Sequence, residues 1–122
     1  MSKIKTFESG DLRSKWNKVD RKWFFVLKDV FVILTYGRDP NEYLKYLRRQ
    51  NVNFIREWKK HVKTLLMPTT SGVQPMNCAD LEGIFQIIQF ISSPYIEPFK
   101  RWLSQYERIL TKQRKVNRGK LR

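Results

Sequence analysis

The spacing of apolar and polar residues along this chain changes from segment to segment, and the changes mark its elements. Near the start the signals are those of short strands. Ile4 to Phe7 is one candidate, and Leu12 to Asn17 is a second, with Leu12, Ser14 and Trp16 on one face and Arg13 and Lys15 on the other. Trp23 to Leu27 is a third, continuously apolar as a strand covered on both faces is. Glu8-Ser9-Gly10-Asp11 and Lys18-Val19-Asp20-Arg21 turn the chain between them, which predicts a small antiparallel meander.

A helical period follows. Asp29 to Thr35 reads as a short helix ended by Gly37, and Asp39-Pro40-Asn41-Glu42 opens another with a cap, a first-position proline and an early glutamate. In that second helix Tyr43, Tyr46 and Leu47 fall on the inner side and Lys45, Arg48 and Arg49 on the outer side. Two helices around a tight Tyr36-Gly37-Arg38 turn resemble a helix-turn-helix in outline, making the second a groove-facing candidate. Asn53 to Val62 predicts an Asn-capped third helix with Phe54, Ile55 and Trp58 inward and Arg56, Lys59 and Lys60 outward. His61, the sole histidine, ends it, where the helix dipole favours a cation. Thr64 to Pro68 and Val73 to Met76 then read as a hairpin joined through Thr69-Thr70-Ser71-Gly72.

The stretch from Asn77 onward predicts two helices meeting at a proline corner. In the first, Leu81, Ile84, Phe85, Ile88 and Ile91 share a face opposite Glu82, Gln86 and Gln89, with Asn77 as N-cap and Asp80 in the first turn. Ser92-Ser93-Pro94 stops it, and Pro98 belongs in the first turn of a helix beginning near Ile96. From there Phe99, Trp102, Leu103, Tyr106, Ile109 and Leu110 trace a stripe that belongs in a core, while Lys100, Arg101, Ser104, Gln105 and Arg108 take the other positions. Past Leu110 the chain has neither apolar period nor acid, which predicts a helix fraying into a basic tail. The expected architecture is α+β: a small antiparallel sheet, from the N-terminal meander and the later hairpin, packed with about five helices. One domain over residues 3–110 and a basic tail over 111–122 account for the chain.

Composition narrows the function. An aromatic content of 14%, with four Trp and eight Phe, fits a packed core and not a disordered basic chain. Twenty-five Lys and Arg against eleven Asp and Glu leave a net charge of +14, which points to polyanionic partners, nucleic acid first and an anionic membrane surface second. The apolar stripe of the last helix is needed in the core, so membrane binding is not expected. A lone cysteine, Cys78, excludes an internal disulfide and fits a reducing compartment. With no spanning or signal segment read, the expected location is intracellular, in a bacterial or archaeal host or an infected cell. Catalysis is not expected. Asp80 and Glu82 do not share a helix face, His61 lacks ligand partners, and Cys78, whose place at a helix start would lower its pKa, has no recognisable base. No phosphate loop or dinucleotide fingerprint occurs, and neither cofactor nor metal is expected.

Asp80-Leu81-Glu82-Gly83-Ile84-Phe85, then Ile87-Ile88, Ser92-Ser93-Pro94, Glu97-Pro98-Phe99-Lys100 and Trp102-Leu103, resemble the signature of the Bro-N domain. Lys22-Trp23-Phe24-Phe25-Val26-Leu27-Lys28-Asp29-Val30 and Leu34 resemble its first strand-to-helix segment, and together the two bracket residues 3 to 106. That domain occurs in phage antirepressors, baculovirus repeated-ORF proteins and bacterial damage-inducible protein D. The resemblance implies a DNA-binding domain of a phage- or virus-type transcriptional regulator, with double-stranded DNA favoured. The cations expected to meet phosphate are Lys45, Arg48, Arg49, Lys59, Lys60, Lys100, Arg101, Arg114, Lys115 and Arg118, with Arg48 or Arg49 the choice for a base contact. The alternative is a protein-interaction module that inhibits a repressor or a recombination protein, for which Tyr36, Tyr43 or Tyr95 would have to be exposed as anchors. A homodimer reading two half-sites stays open, since no dimer seam is visible in the sequence.

Overall fold

A computed structural model describes residues 2–7 and 10–120, with side chains for 3–7 and 10–116. In chain order the elements are β1 (Ser2–Phe7), β2 (Gly10–Asn17), β3 (Lys22–Val26), α1 (Leu27–Leu34), α2 (Pro40–Gln50) and α3 (Val52–His61). They continue with β4 (Lys63–Thr69), β5 (Gly72–Asp80), α4 (Leu81–Ile88) and α5 (Ile96–Lys120). The five strands form one antiparallel sheet in the order β1-β2-β3-β5-β4, so the class is α+β. Glu8 and Ser9, half of the first predicted turn, lie outside the described residues.

The central strand β3 explains the layers. Alternate side chains of an apolar strand point to opposite faces. Trp23 and Phe25 accordingly enter the main core while Phe24 and Val26 enter a smaller one behind the sheet. On the main side Ser14, Phe25 and Ala79 stand in register across β2, β3 and β5, under Val30 and Phe31 of α1, Ile84 and Ile88 of α4, and Phe99, Leu103 and Tyr106 of α5. Ser14 is the buried polar residue of this face. It hydrogen-bonds the Tyr106 hydroxyl, whose pKa burial nonetheless pushes up.

On the other side Phe24, Val26, Met67 and Cys78 pack with Leu65 and Met76. The Lys15 ammonium donates to the Leu66 carbonyl at 2.7 Å, linking β2 to β4 although β3 and β5 lie between them in the sheet. The β4–β5 hairpin therefore curls over this face.

The helices start and stop for local reasons. Asp39 caps α2 by accepting from the amides of Asn41 and Glu42, with Pro40 at its first position. Asn51 ends α2 and also caps α3, accepting from Asn53 N at 2.8 Å, so α3 begins at Val52 and its cap lies ahead of Asn53. The cap of α4 is Asp80, not Asn77: its carboxylate accepts from Gly83 N at 2.9 Å, and Asn77 belongs to β5, opposite Thr64. The hairpin is longer than expected because β5 continues to Asp80 to pair with β3. A Cβ on Gly83 would meet His61 Cβ at 2.9 Å and Ala79 Cβ at 3.0 Å, so the glycine lets α4 close on the end of α3 and on β5.

Two inward assignments fail. Tyr46 and Ile109 are about half exposed, at 48% and 50%, because Tyr43 and Leu47 already fill the inner face of α2 and Tyr106 and Leu110 that of α5. Nor does the last helix fray after Leu110; it runs on to Lys120.

Candidate nucleic-acid interface

Burial of Tyr43 and Leu47 fixes the rotation of α2, and Lys45, Arg48 and Arg49 consequently face solvent. Phe54 does the same for α3 and leaves Lys59 and Lys60 exposed in its last turn, where cations oppose the negative end of the dipole. Arg48 lies over the Trp58 ring at 5.4 Å from its centre, fastening the end of α2 to α3, and the shared Asn51 cap allows no slack between the helices.

Charge left over for a ligand depends on which cations already hold a carboxylate. Arg13 forms a two-pronged pair with Asp29 at 2.8 and 2.7 Å, which raises its pKa, while Lys22 pairs with Asp80 at 3.3 Å and Lys63 with Asp20. These stand on the sheet and are neutralised there. On the helices Lys45 has only an exposed contact with Glu42 at 3.6 Å, and Lys100 one with Glu97 at 3.8 Å. Exposed pairs of this kind are weak and easily exchanged for a phosphate. Among the described residues Arg48, Arg49, Lys59, Lys60 and Arg101 have no carboxylate partner.

The expected cations do not form one patch by contact. Those of α2 and α3 are joined through Arg48 and Trp58. Those of α5 have other neighbours: Lys100 lies 5.2 Å from the centre of the Phe85 ring on α4, and Arg114 stacks on Trp16 of β2 at 4.0 Å. Arg101 and Lys115 are exposed, and the side chain of Arg118 lies outside those described.

The helix-turn-helix outline also needs amending. A recognition helix reads bases with its N-terminal residues, but here that end carries Asp39 and the exposed Glu42, and the cations gather toward the C-terminal end.

The family model described as BRO family, N-terminal domain (Bro-N), matches residues 11–109. The chain belongs to the Bro-N family. No curated protein and no solved structure matches the chain. The Bro-N match takes in the whole α2–α3 group together with Lys100 and Arg101, while Arg114, Lys115 and Arg118 lie beyond it.

The Bro-N fold also places residues that periodicity did not single out. Arg38 lies 5.7 Å from the centre of the Tyr43 ring and lines an open cavity of ≈ 630 Å³ with Glu42, Tyr46 and Phe90. Of the three tyrosines tested as anchors, Tyr43 is buried, Tyr95 is half-buried and Tyr36 is 61% exposed. Tyr36 ends α1 in the left-handed conformation, φ 59°, while Gly37 N–H donates to the Val32 carbonyl at 2.9 Å, and its ring meets Tyr95 edge-on at 4.9 Å. The Tyr-Gly pair signalled the helix end; that the tyrosine would be held out in solvent it did not.

Cys78 is not at a helix start. It sits in β5, fully buried, and loss of hydration, followed by the nearby Asp29 charge, pushes its thiol up to about 12. Among the described residues no three of His, Cys, Asp and Glu converge as a metal ion would need, and no helix is long and apolar enough to cross a membrane.

Proposed function

We propose that this Bro-N domain binds double-stranded DNA through the outer side of α2 and the end of α3, as the DNA-binding part of a phage- or virus-type regulator of the antirepressor kind. The observation that carries the reading is the cluster of Arg48, Arg49, Lys59 and Lys60, exposed, without carboxylate partners, on two helices locked together by the Arg48–Trp58 contact and a shared cap. Phosphates would replace the condensed counterions at these cations, and release of those ions drives the binding. Arg49 is the better choice for gripping a guanine edge, because Arg48 is engaged on Trp58. The same reading is non-catalytic, and the inert state of the buried Cys78 thiol supports it.

The exposed Tyr36 favours one further reading. A bulky residue in the left-handed region costs about 1–2 kcal/mol, and an exposed aromatic held there beside Arg38 suits an anchor for a protein partner such as a repressor or a recombination protein.

A titration of labelled duplex and matching single strand separates the two. Charge reversal of Lys45, Arg48 and Arg49 together, all on the surface, is expected to weaken duplex binding by about a hundredfold or more at low salt, whereas Tyr36→Ala leaves it unchanged. Unaltered affinity in the triple variant refutes the DNA-contacting face. Loss of repressor or recombination-protein capture in Tyr36→Ala, with duplex binding absent in the wild type, establishes the second reading instead.

A further inference from the structure

No residue from 64 to 79 carries a charge, in a chain where 30% of residues do. That run is the β4–β5 hairpin, and its two faces are not alike. Leu65, Met67 and Met76 pack onto the smaller core behind the sheet. Leu66 opposite Pro75, and Pro68 opposite Val73, form the other face; all four are exposed, Leu66 at 58% and Val73 at 66%. A strand apolar on both faces is the pattern of a strand covered on both, and here one cover is missing. Beside the patch, a groove of ≈ 230 Å³ between Pro75 and α2 is lined also by Lys28, Asn41, Gln74 and Asn77, so the apolar area ends there.

We infer that this hairpin face is where a second copy of the chain docks. Charge selects the occupant. A two-fold dimer sets a surface patch against itself, and on a protein of charge +14 most such pairings oppose cation to cation. Five other exposed apolar side chains adjoin a cation in the chain: Ile4 lies between Lys3 and Lys5, Val19 follows Lys18, Tyr46 follows Lys45, Ile109 follows Arg108 and Val116 follows Lys115; Tyr36 and Val52 do not, but neither lies on the sheet. The outer face of the hairpin carries no charged side chain of its own, and Lys15, whose ammonium is bonded to the Leu66 carbonyl, reaches the strand from the Phe24 side. The hairpin's two prolines keep the patch stiff, lowering the entropy lost on docking, and Pro68 denies a donor to strand-by-strand extension of the edge strand β4. So small a patch makes a weak, reversible dimer. The inference does not depend on nucleic-acid binding, and its test contains no DNA.

Sedimentation of the whole chain over a hundredfold concentration range, in about 0.15 M and about 1 M salt, reads the association directly. The wild type is expected to shift from monomer toward dimer with concentration, and further in high salt, where repulsion between the two basic bodies is screened. Leu66→Lys with Val73→Lys is expected to stay monomeric, while Ile4→Lys with Val19→Lys, an equal charge change at exposed sites, associates like the wild type. In the unaltered protein, amide resonances that move on dilution are expected within 64–77 and not on α2, which keeps the test valid if the double variant misfolds. A wild type that is monomeric throughout, an association insensitive to the double substitution, or dilution shifts centred elsewhere overturns the inference. So does a monomeric protein in which the same substitutions change duplex affinity, since the hairpin would then be a nucleic-acid contact.

Discussion

Cys78 changes character between sequence and structure. Next to a helix its thiol would be activated; inside β5 burial pushes it up to about 12. The consequence for stability has a definite sign. Below about pH 9 the thiol is protonated in both folded and unfolded chains and its contribution is intact. As pH rises from there toward 12 only the unfolded chain releases its proton, so stability falls. Between these limits the wild type is expected to lose about 1.4 kcal/mol per pH unit more than Cys78→Ala, measured by urea unfolding across the alkaline range. Equal slopes for the two proteins would show that the thiol is hydrated in the native state.

Among the elements, α5 departs most from expectation. Its sequence after Leu110 has no apolar face to bury, so periodicity alone ends the helix there. The structure supplies a different support, the Arg114 guanidinium lying over the Trp16 ring of β2 at 4.0 Å from its centre, with Trp16 itself edge-on to Trp23. Cation–π contacts of this kind contribute about 1 kcal/mol. Arg114→Ala is expected to speed amide exchange in the last turns of α5 while leaving the sheet as protected as before, whereas Arg114→Lys restores part of the protection. Uniform exchange in all three proteins would mean the helix end needs no tether.

For the molecule as a whole, the distribution of free cations sets the salt response. The α2–α3 group of five, Lys45, Arg48, Arg49, Lys59 and Lys60, predicts a slope of log affinity on log salt of about −4.5 if each meets one phosphate, and all ten candidate cations about −9. A duplex titration between low and moderate salt distinguishes them. A slope near the smaller value that drops by about three units on reversing Lys45, Arg48 and Arg49 places the duplex on α2 and α3 alone. A slope near zero removes polyanion binding altogether.

Much of this was legible in the residues. Alternation in β2, the apolar run of β3, the Asp39-Pro40 start of α2 and the stripe from Phe99 to Leu110 are local patterns, and local patterns set strands, helices and their buried sides. The family, too, could be read from motifs in order along the chain, and the match over residues 11–109 agrees. Pairings across distance had to come from the fold: β5 lengthening to meet β3, Asp80 displacing Asn77 as a cap, Trp16 holding Arg114, and Asp29, Asp80 and Asp20 neutralising Arg13, Lys22 and Lys63 while Arg49, Lys59 and Lys60 keep their charge. The spacing of side chains along one element is a property of the chain. Which carboxylate reaches which cation, and which apolar face is left uncovered, depends on elements far apart in sequence, and only their packing decides it.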